Sequence, residues 1–171
     1  VSGEEMSDHL SISRQALWKH IQQLKDLGYD IVAVPHLGYK LAGIPDKLLP
    51  LEISYQLHTK HFGKAIHYFE CTGSTMDAAM QLGWQGAPEG TLVVAESQMQ
   101  GRGRMGRDWI SPQYKGIYFS LLLTPKITPN QSPVLTLIAG VSVCEAVKGI
   151  SGLEARIKWP NDILIGNKKL G

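Results

Sequence analysis

The chain has 171 residues, 43% hydrophobic and 19% charged, with a net charge of +2. That balance excludes a disordered polypeptide, and the small charge says little about partners. The length suits one medium domain, or a small domain joined to part of a larger one. Apolar runs such as 117–123 and 134–143 are broken by Ser, Thr or Gly and read as too short to cross a bilayer. No basic segment followed by an apolar stretch opens the chain, so no secretory signal is expected. Cys71 and Cys144 lack metal-ligand spacing. They read as free thiols of a reducing compartment, a bridge between them being the alternative. With no initiator methionine, and an end just after a hairpin signal at 168–171, the chain reads as a fragment.

Ser2-Gly-Glu-Glu5 has capping-box spacing and predicts a short helix presenting Met6 and Leu10. Ser11-Ile-Ser13 supplies a turn, with Ser13 capping a second helix that carries Leu17, Ile21 and Leu24 inward and stops at Gly28. The opposite face of that helix shows Arg14, Gln15, Trp18, Lys19 and Gln22, a set able to contact phosphates and base edges. Two short strands around Pro35-His-Leu-Gly38 then make a wing bearing Lys40. The pattern is a winged helix-turn-helix over 1–45. The alternative is a small helical domain with a polar face. The charge census favours that caution, since 1–45 holds four Lys or Arg against five Asp or Glu.

Residues 42–50 carry two prolines and break periodicity, which places a domain boundary there. A helix is expected over 51–58, a strand over 64–70 and a helix from 72–77 to about 83. Strands are expected over 91–97 and 116–124, the latter apolar almost throughout and so central. A long helix over 131–148 and a strand pair over 155–159 and 163–165 complete the reading. Strands and helices mix without strict alternation, which gives an α+β class with a mixed sheet over 46–171.

The sharpest chemical signal is Gly101-Arg-Gly-Arg-Met-Gly-Arg107. It is neither a Walker loop nor a Rossmann fingerprint. Arg102, Arg104 and Arg107 between Gly101, Gly103 and Gly106 suit a loop wrapped over an anion; the alternative is a mobile basic loop or an RNA patch. Gln98 before the loop and Trp109 after it offer a polar partner and an aromatic wall. Ser74-Thr75 sits at a strand-to-helix junction, where hydroxyls commonly serve as caps. Lys158 precedes Trp159-Pro-Asn-Asp162. A lysine in an apolar strand ordinarily reaches out to solvent, but Pro160 disrupts the ladder and could aim it into a cleft. Asp162 reads equally as a turn residue or as an aid to nucleotide or metal binding. No metal-ligand set is read.

The Gly-Arg-Gly-Arg-x-Gly-Arg and Lys-Trp-Pro-Asn-Asp motifs, downstream of a helix-turn-helix, resemble the bifunctional biotin protein ligases that also repress biotin operons. That resemblance implies a truncated catalytic domain like the class II synthetase and biotin ligase cores. The implied reaction joins biotin and ATP, with Mg2+, into biotinyl-5′-AMP and then passes biotin to a lysine of a biotin carboxyl-carrier domain. Ser74, Thr75 and Gln98 would seat biotin. Gly101 to Arg107, with Gly103 and Trp109, would bind the adenylate. Arg102, Arg104 and Lys158 would be catalytic, and Arg14, Gln15, Trp18, Lys19, Gln22 and Lys40 would meet operator DNA. The resemblance further implies a cytoplasmic protein without membrane partners that dimerises when adenylate-bound, and a fragment that alone is an incomplete ligase. The alternatives are a lipoate or octanoate ligase, which the arginine-glycine loop argues against, and a non-catalytic biotin-sensing regulator, which intact Lys158 and arginines argue against.

Overall fold

The computed structural model describes residues 1–35 and 37–171. The expected turn at 35–38 runs through His36, which lies outside the described residues. The chain packs as two compact units, Val1–Leu123 and Thr124–Gly171.

The first unit begins with helices α1 (Gly3–Leu10) and α2 (Arg14–Asp26). The capping box forms as its spacing requires. Ser2 Oγ accepts from the Glu5 amide at 3.1 Å, and the Ser2 amide donates to Glu5 Oε2 at 3.0 Å. The Ser2 amide and hydroxyl hold the Glu5 carboxyl below its ordinary range. Ser13 Oγ likewise accepts from Ala16 at 3.1 Å to start α2, whose Leu17 and Ile21 are buried. Strands β1 (Asp30–Val34) and β2 (Gly38–Gly43) follow as an antiparallel pair. Gly38 is obligatory in this packing, because a Cβ there would stand 2.2 Å from the Val1 carbonyl oxygen. That oxygen also accepts from the Tyr39 amide at 2.9 Å, so the start of the chain lies along the second strand.

The connection onward is tied down at both ends. The buried Tyr29 hydroxyl donates to Glu52 of helix α3 (Pro50–Tyr55). Burial and then that carboxylate push its pKa up to about 12. On the other side the Leu48 amide donates to Glu96 Oε1 at 2.7 Å. Glu96 is 2% exposed. It also bonds the Tyr68 hydroxyl, whose pKa rises through burial first and the Glu96 charge second.

A three-stranded sheet in the order β3 (Ile66–Phe69), β4 (Leu92–Ala95), β5 (Tyr118–Leu121) forms the rest of this unit. The first two strands are parallel, joined through helix α4 (Thr75–Trp84), and the last pair is antiparallel. The sheet is mixed and the class α+β, as the interspersed pattern implied. The expectation of a central third strand is corrected: among the described residues β4 lies in the middle and β5 at an edge. Val93, Val94 and Ala95 on β4 are essentially inaccessible, whereas Phe119 on β5 is half exposed. Apolar character alone does not distinguish the two positions.

The second unit holds helix α5 (Pro133–Ser151) and an antiparallel sheet of β6 (Ala155–Lys158), β7 (Asp162–Ile165) and β8 (Lys168–Lys169). The expectation that its apolar run is too short for a bilayer is corrected on length. Pro129–Ser151 is a continuous helical stretch of 23 residues, long and apolar enough to span by length and composition. Ser, Thr and Gly interrupt hydropathy without interrupting the helix. The same helix lies against β6 and β7, with Gly140 buried and its missing Cβ 3.0 Å from Ile157 Cδ1. It therefore covers a sheet.

Candidate functional site

Gln98 lies just beyond β4, bridged to Thr72 on one side and Ser111 on the other. Its side-chain oxygen accepts from the Thr75 amide at 2.9 Å and the Thr75 hydroxyl at 3.1 Å. Its side-chain nitrogen donates to Ser111 Oγ at 3.1 Å, and that hydroxyl donates to the Trp109 carbonyl at 3.2 Å. Ser120 Oγ on β5 donates to Thr75 Oγ1 at 3.0 Å. Ser74 and Thr75 are each 4% exposed. Ser74 is the residue before α4, yet its side chain makes no capping bond. The amide of Thr75, one of the orphan donors of the helix start, is taken instead by Gln98. The expected Thr75 and Gln98 therefore meet in one polar cluster with both sides of the Gln98 amide fixed, and the buried Ser74 precedes Thr75 in the chain.

Above it, residues 101–107 fold back on themselves. Arg102 and Asp108 bridge, the Trp109 amide donates to the Gly101 carbonyl at 2.9 Å, and the Gly103 amide donates to the Arg107 carbonyl at 2.7 Å. Gly101 is buried, and a Cβ there would stand 2.4 Å from the Trp109 carbonyl oxygen. The sequence suggested glycine for close approach to a ligand; at this position the close approach is to the loop's own returning strand. Arg104–Gly106 makes one tight turn with Met105 left-handed at φ 57° and 92% exposed. An open depression of about 340 Å³ runs beside Gln98, Gly101, Asp108, Trp109 and Ser111. Arg102 is ion-paired with Asp77 in the first turn of α4. Arg104 and Arg107 lie exposed on the loop.

Lys158 belongs to the second unit. It is exposed at the end of β6, facing Asp162 in the strand register, and is followed by a cis Trp159–Pro160 bond. The Asp162 carboxylate receives Lys169 Nζ at 2.8 Å. On α2, Arg14, Gln15, Trp18 and Lys19 are exposed, as is Lys40 on β2, while Gln22 is half-buried. Arg14 is paired with Glu4 of α1 at 2.7 Å. Both cysteines are free.

Sequence reasoning did not pick out Asp77, Ser111 or Ser120, because their partners lie 25, 13 and 45 residues away. A signal existed for Glu96, a carboxylate closing an otherwise apolar strand.

A model of the Biotin/lipoate A/B protein ligase family matches residues 68–171, and a model described as HTH domain matches residues 1–40. The chain is 46% identical over 169 residues to the "Bifunctional ligase/repressor BirA" of Bacillus spizizenii, covering 99% of this chain and 52% of that protein. It is 33% identical over 173 residues to the protein of that name from Escherichia coli, with 99% and 51% covered. The chain thus spans about half the length of the curated relatives it matches. Among solved structures, a biotin protein ligase from Aquifex aeolicus in complex with biotin and ATP superposes with TM-score 0.53 at 39% identity, over 62% of this chain and 44% of that one. A biotin protein ligase from Leishmania major in complex with biotinyl-5-AMP gives 0.55 at 32% identity, over 62% and 49%.

Proposed function

Because the chain belongs to the Biotin/lipoate A/B protein ligase family, we propose that it is the DNA-binding and adenylate-forming part of a biotin protein ligase that also represses transcription. The observation that carries this reading is the joined cluster of Thr75, Gln98 and Ser111 beneath the folded 101–107 loop. It combines fixed neutral hydrogen-bonding groups with a basic rim, which suits a neutral polar ring bearing an anionic tail. The helix pair with its antiparallel hairpin is proposed as a winged helix-turn-helix spanning 1–45. The remainder, 46–171, is proposed as the leading part of a ligase core related to class II synthetases.

In the proposed reaction a biotin carboxylate oxygen attacks the α-phosphorus of ATP and pyrophosphate leaves. A lysine amine of a biotin carboxyl-carrier domain then attacks the acyl carbon, and AMP leaves. The first step brings two anions together, so charge neutralisation and positioning supply most of the catalysis. Ser74, Thr75 and Gln98 are assigned to biotin, and Gly101, Gly103, Arg107 and Trp109 to the adenylate. Arg102, Arg104 and Lys158 are assigned to the charge that builds at the α-phosphate. Closure of the loop would keep water from the mixed anhydride. Among the described residues no three His, Cys, Asp or Glu side chains cluster as a metal site. Mg2+ would be carried largely on the nucleotide's phosphates, where it would offset their charge. Dimerisation with adenylate bound, an operator partner and a cytoplasmic setting complete the proposal.

The test is mass spectrometry on the full-length protein after incubation with ATP, Mg2+, biotin, lipoate and octanoate together. Retention of biotinyl-5′-AMP alone is expected, while a lipoyl or octanoyl adenylate would move the assignment to the sister ligases. Lys158→Ala is expected to slow adenylate formation at least about 100-fold, the scale at which lost charge stabilisation is felt, with an unchanged melting temperature. Near-normal turnover would remove Lys158 from the machinery.

A further inference from the structure

We propose that Lys169 is a positioning residue for Lys158: by occupying the Asp162 carboxylate it keeps that group from claiming the Lys158 ammonium. The proposal rests on the assignment of Lys158 to the charge that builds at the α-phosphate.

The sheet of β6, β7 and β8 gathers three cations and one carboxylate on a single face. Ile157 points to α5, where its Cδ1 lies 3.0 Å from the place a Gly140 Cβ would take. Its neighbours Arg156 and Lys158 therefore project from the other face, since successive side chains of a strand alternate. Across the antiparallel register Lys158 stands opposite Asp162, and Arg156 opposite Leu164. Leu164 in turn stands opposite Lys169 on β8. Cross-strand partners share a face, so Lys158 and Lys169 flank the same acid.

The pairing on that face is not the one the register alone suggests. Asp162 faces Lys158 directly, yet it is Lys169 that donates from Nζ to its Oδ1, at 2.8 Å. Arg156 turns the other way and donates to the Gly166 carbonyl at 2.9 Å, within the turn between β7 and β8. Two of the three cations are thus committed to the hairpin itself. Lys158 stands exposed at the end of β6, beside a carboxylate that another lysine neutralises. An acid left unneutralised there would attract the Lys158 ammonium and repel any phosphate or carboxylate oxygen drawn to it. With Lys169 in place both effects are cancelled, and the group of two lysines and one acid keeps a net positive charge for an oxyanion. Lys169 touches no reacting atom in this scheme; it acts through Asp162.

The test uses the full-length protein and two readouts. One is the single-turnover rate of biotinyl-5′-AMP formation. The other is acylation of Lys158 by trace acetic anhydride, read by peptide mass spectrometry with neither biotin nor ATP added. The labelling reports how far the amine is tied to a carboxylate and does not depend on ligation. Lys169→Met is expected to lower both about two- to fivefold, the range within which an exposed ion pair can hold a lysine. Lys169→Arg is expected to restore both, with the melting temperature of each variant close to that of the wild type. The deciding variant is Asp162→Asn in the Lys169→Met background, expected to return rate and labelling to the level of Asp162→Asn alone. Wild-type labelling in Lys169→Met, or a slowed rate that Asp162→Asn fails to rescue, would overturn the positioning role. Lowered labelling with an unchanged rate would overturn it too, since the capture would be real and Lys158 would lie outside the reaction. A wild type that forms no biotinyl-5′-AMP would sink the reading underneath, whatever the labelling shows.

Discussion

At the scale of single residues the site depends on backbone amides as much as on side chains. Gln98 is the clearest instance: an ordinary neutral residue in the sequence, it becomes the hinge pin of the site by taking the first amide of α4 with one end and Ser111 with the other. Fixing both ends settles which way the amide faces, so a ligand meets a preset pattern of donor and acceptor. Gly101 is the second instance. Its replacement by alanine would set a methyl 2.4 Å from the Trp109 carbonyl and 2.8 Å from Ser111 Oγ. The returning strand would have to move. Gly101→Ala is expected to destabilise the protein by about 1–3 kcal/mol, in the range of an overpacked interior position. It should also open the loop to protease, as read by thermal unfolding and limited digestion; wild-type values in both would show that the strand gives way freely. The alternation of three arginines with glycines was legible in the sequence. The tie to Asp77 was not, since an acid in the first turn of a helix is already explained by the helix dipole.

At the scale of elements, most helices and strands were legible because their signals are local. Ser2 and Glu5 cap α1 as their spacing requires, and Ser13 caps α2. One departure among the caps is instructive. Ser74 occupies the capping position of α4 without using its side chain there, because a glutamine from beyond the next strand reaches the helix start first. Strand order was less legible. β4 and β5 are both apolar, and only the pairing of β4 with a parallel neighbour on one side and an antiparallel one on the other puts it in the middle. On α2 the pairing of Arg14 with Glu4 adds something the helical pattern did not contain. An exposed pair of this kind contributes little to stability, so the arginine can exchange its partner for a DNA phosphate at small cost. Arg14→Ala is therefore expected to weaken operator binding in the full-length protein and flatten its salt dependence by about one unit of slope. Its adenylate formation should remain at the wild-type rate. An unchanged affinity and slope, read by fluorescence anisotropy over a salt series, would take Arg14 out of the DNA contact.

At the scale of the whole chain, two family models match on either side of the connecting segment, 1–40 and 68–171, while the compact units divide at Leu123 and Thr124. The first division follows ancestry and the second follows packing. They differ because the segment between the models is fastened to both neighbours, through Tyr29 and Glu52 on one side and Leu48 and Glu96 on the other. Two prolines in the sequence of this segment announced a break in periodicity, and periodicity carries no record of a buried carboxylate some forty-eight residues away. The Tyr29 tie has a measurable signature. Its folded pKa of about 12 stands above the ordinary 10. The protonated hydroxyl is thus favoured by folding, and the contribution is complete below pH 10 and lost as pH rises through 12. Tyr29→Phe is expected to lower stability by about 1–2 kcal/mol at neutral pH, the scale of a hydrogen bond to a charged acceptor. It should also flatten the decline between pH 10 and 12 in denaturant titrations; an undiminished alkaline decline would assign that loss to other tyrosines.

The double fastening of residues 46–55 bears on transplantation. A helix-turn-helix head cut at residue 45 and fused to a foreign protein would leave the Tyr29 hydroxyl without Glu52. Extending the graft to Tyr55 would mend that and take the Leu48 amide from the buried Glu96 carboxylate in the donor instead, leaving it the Tyr68 hydroxyl. The ten-residue strip is joint property of head and body, so a chimaera of either kind inherits a wound unless the host supplies a hydrogen-bond donor or acceptor of its own at the seam.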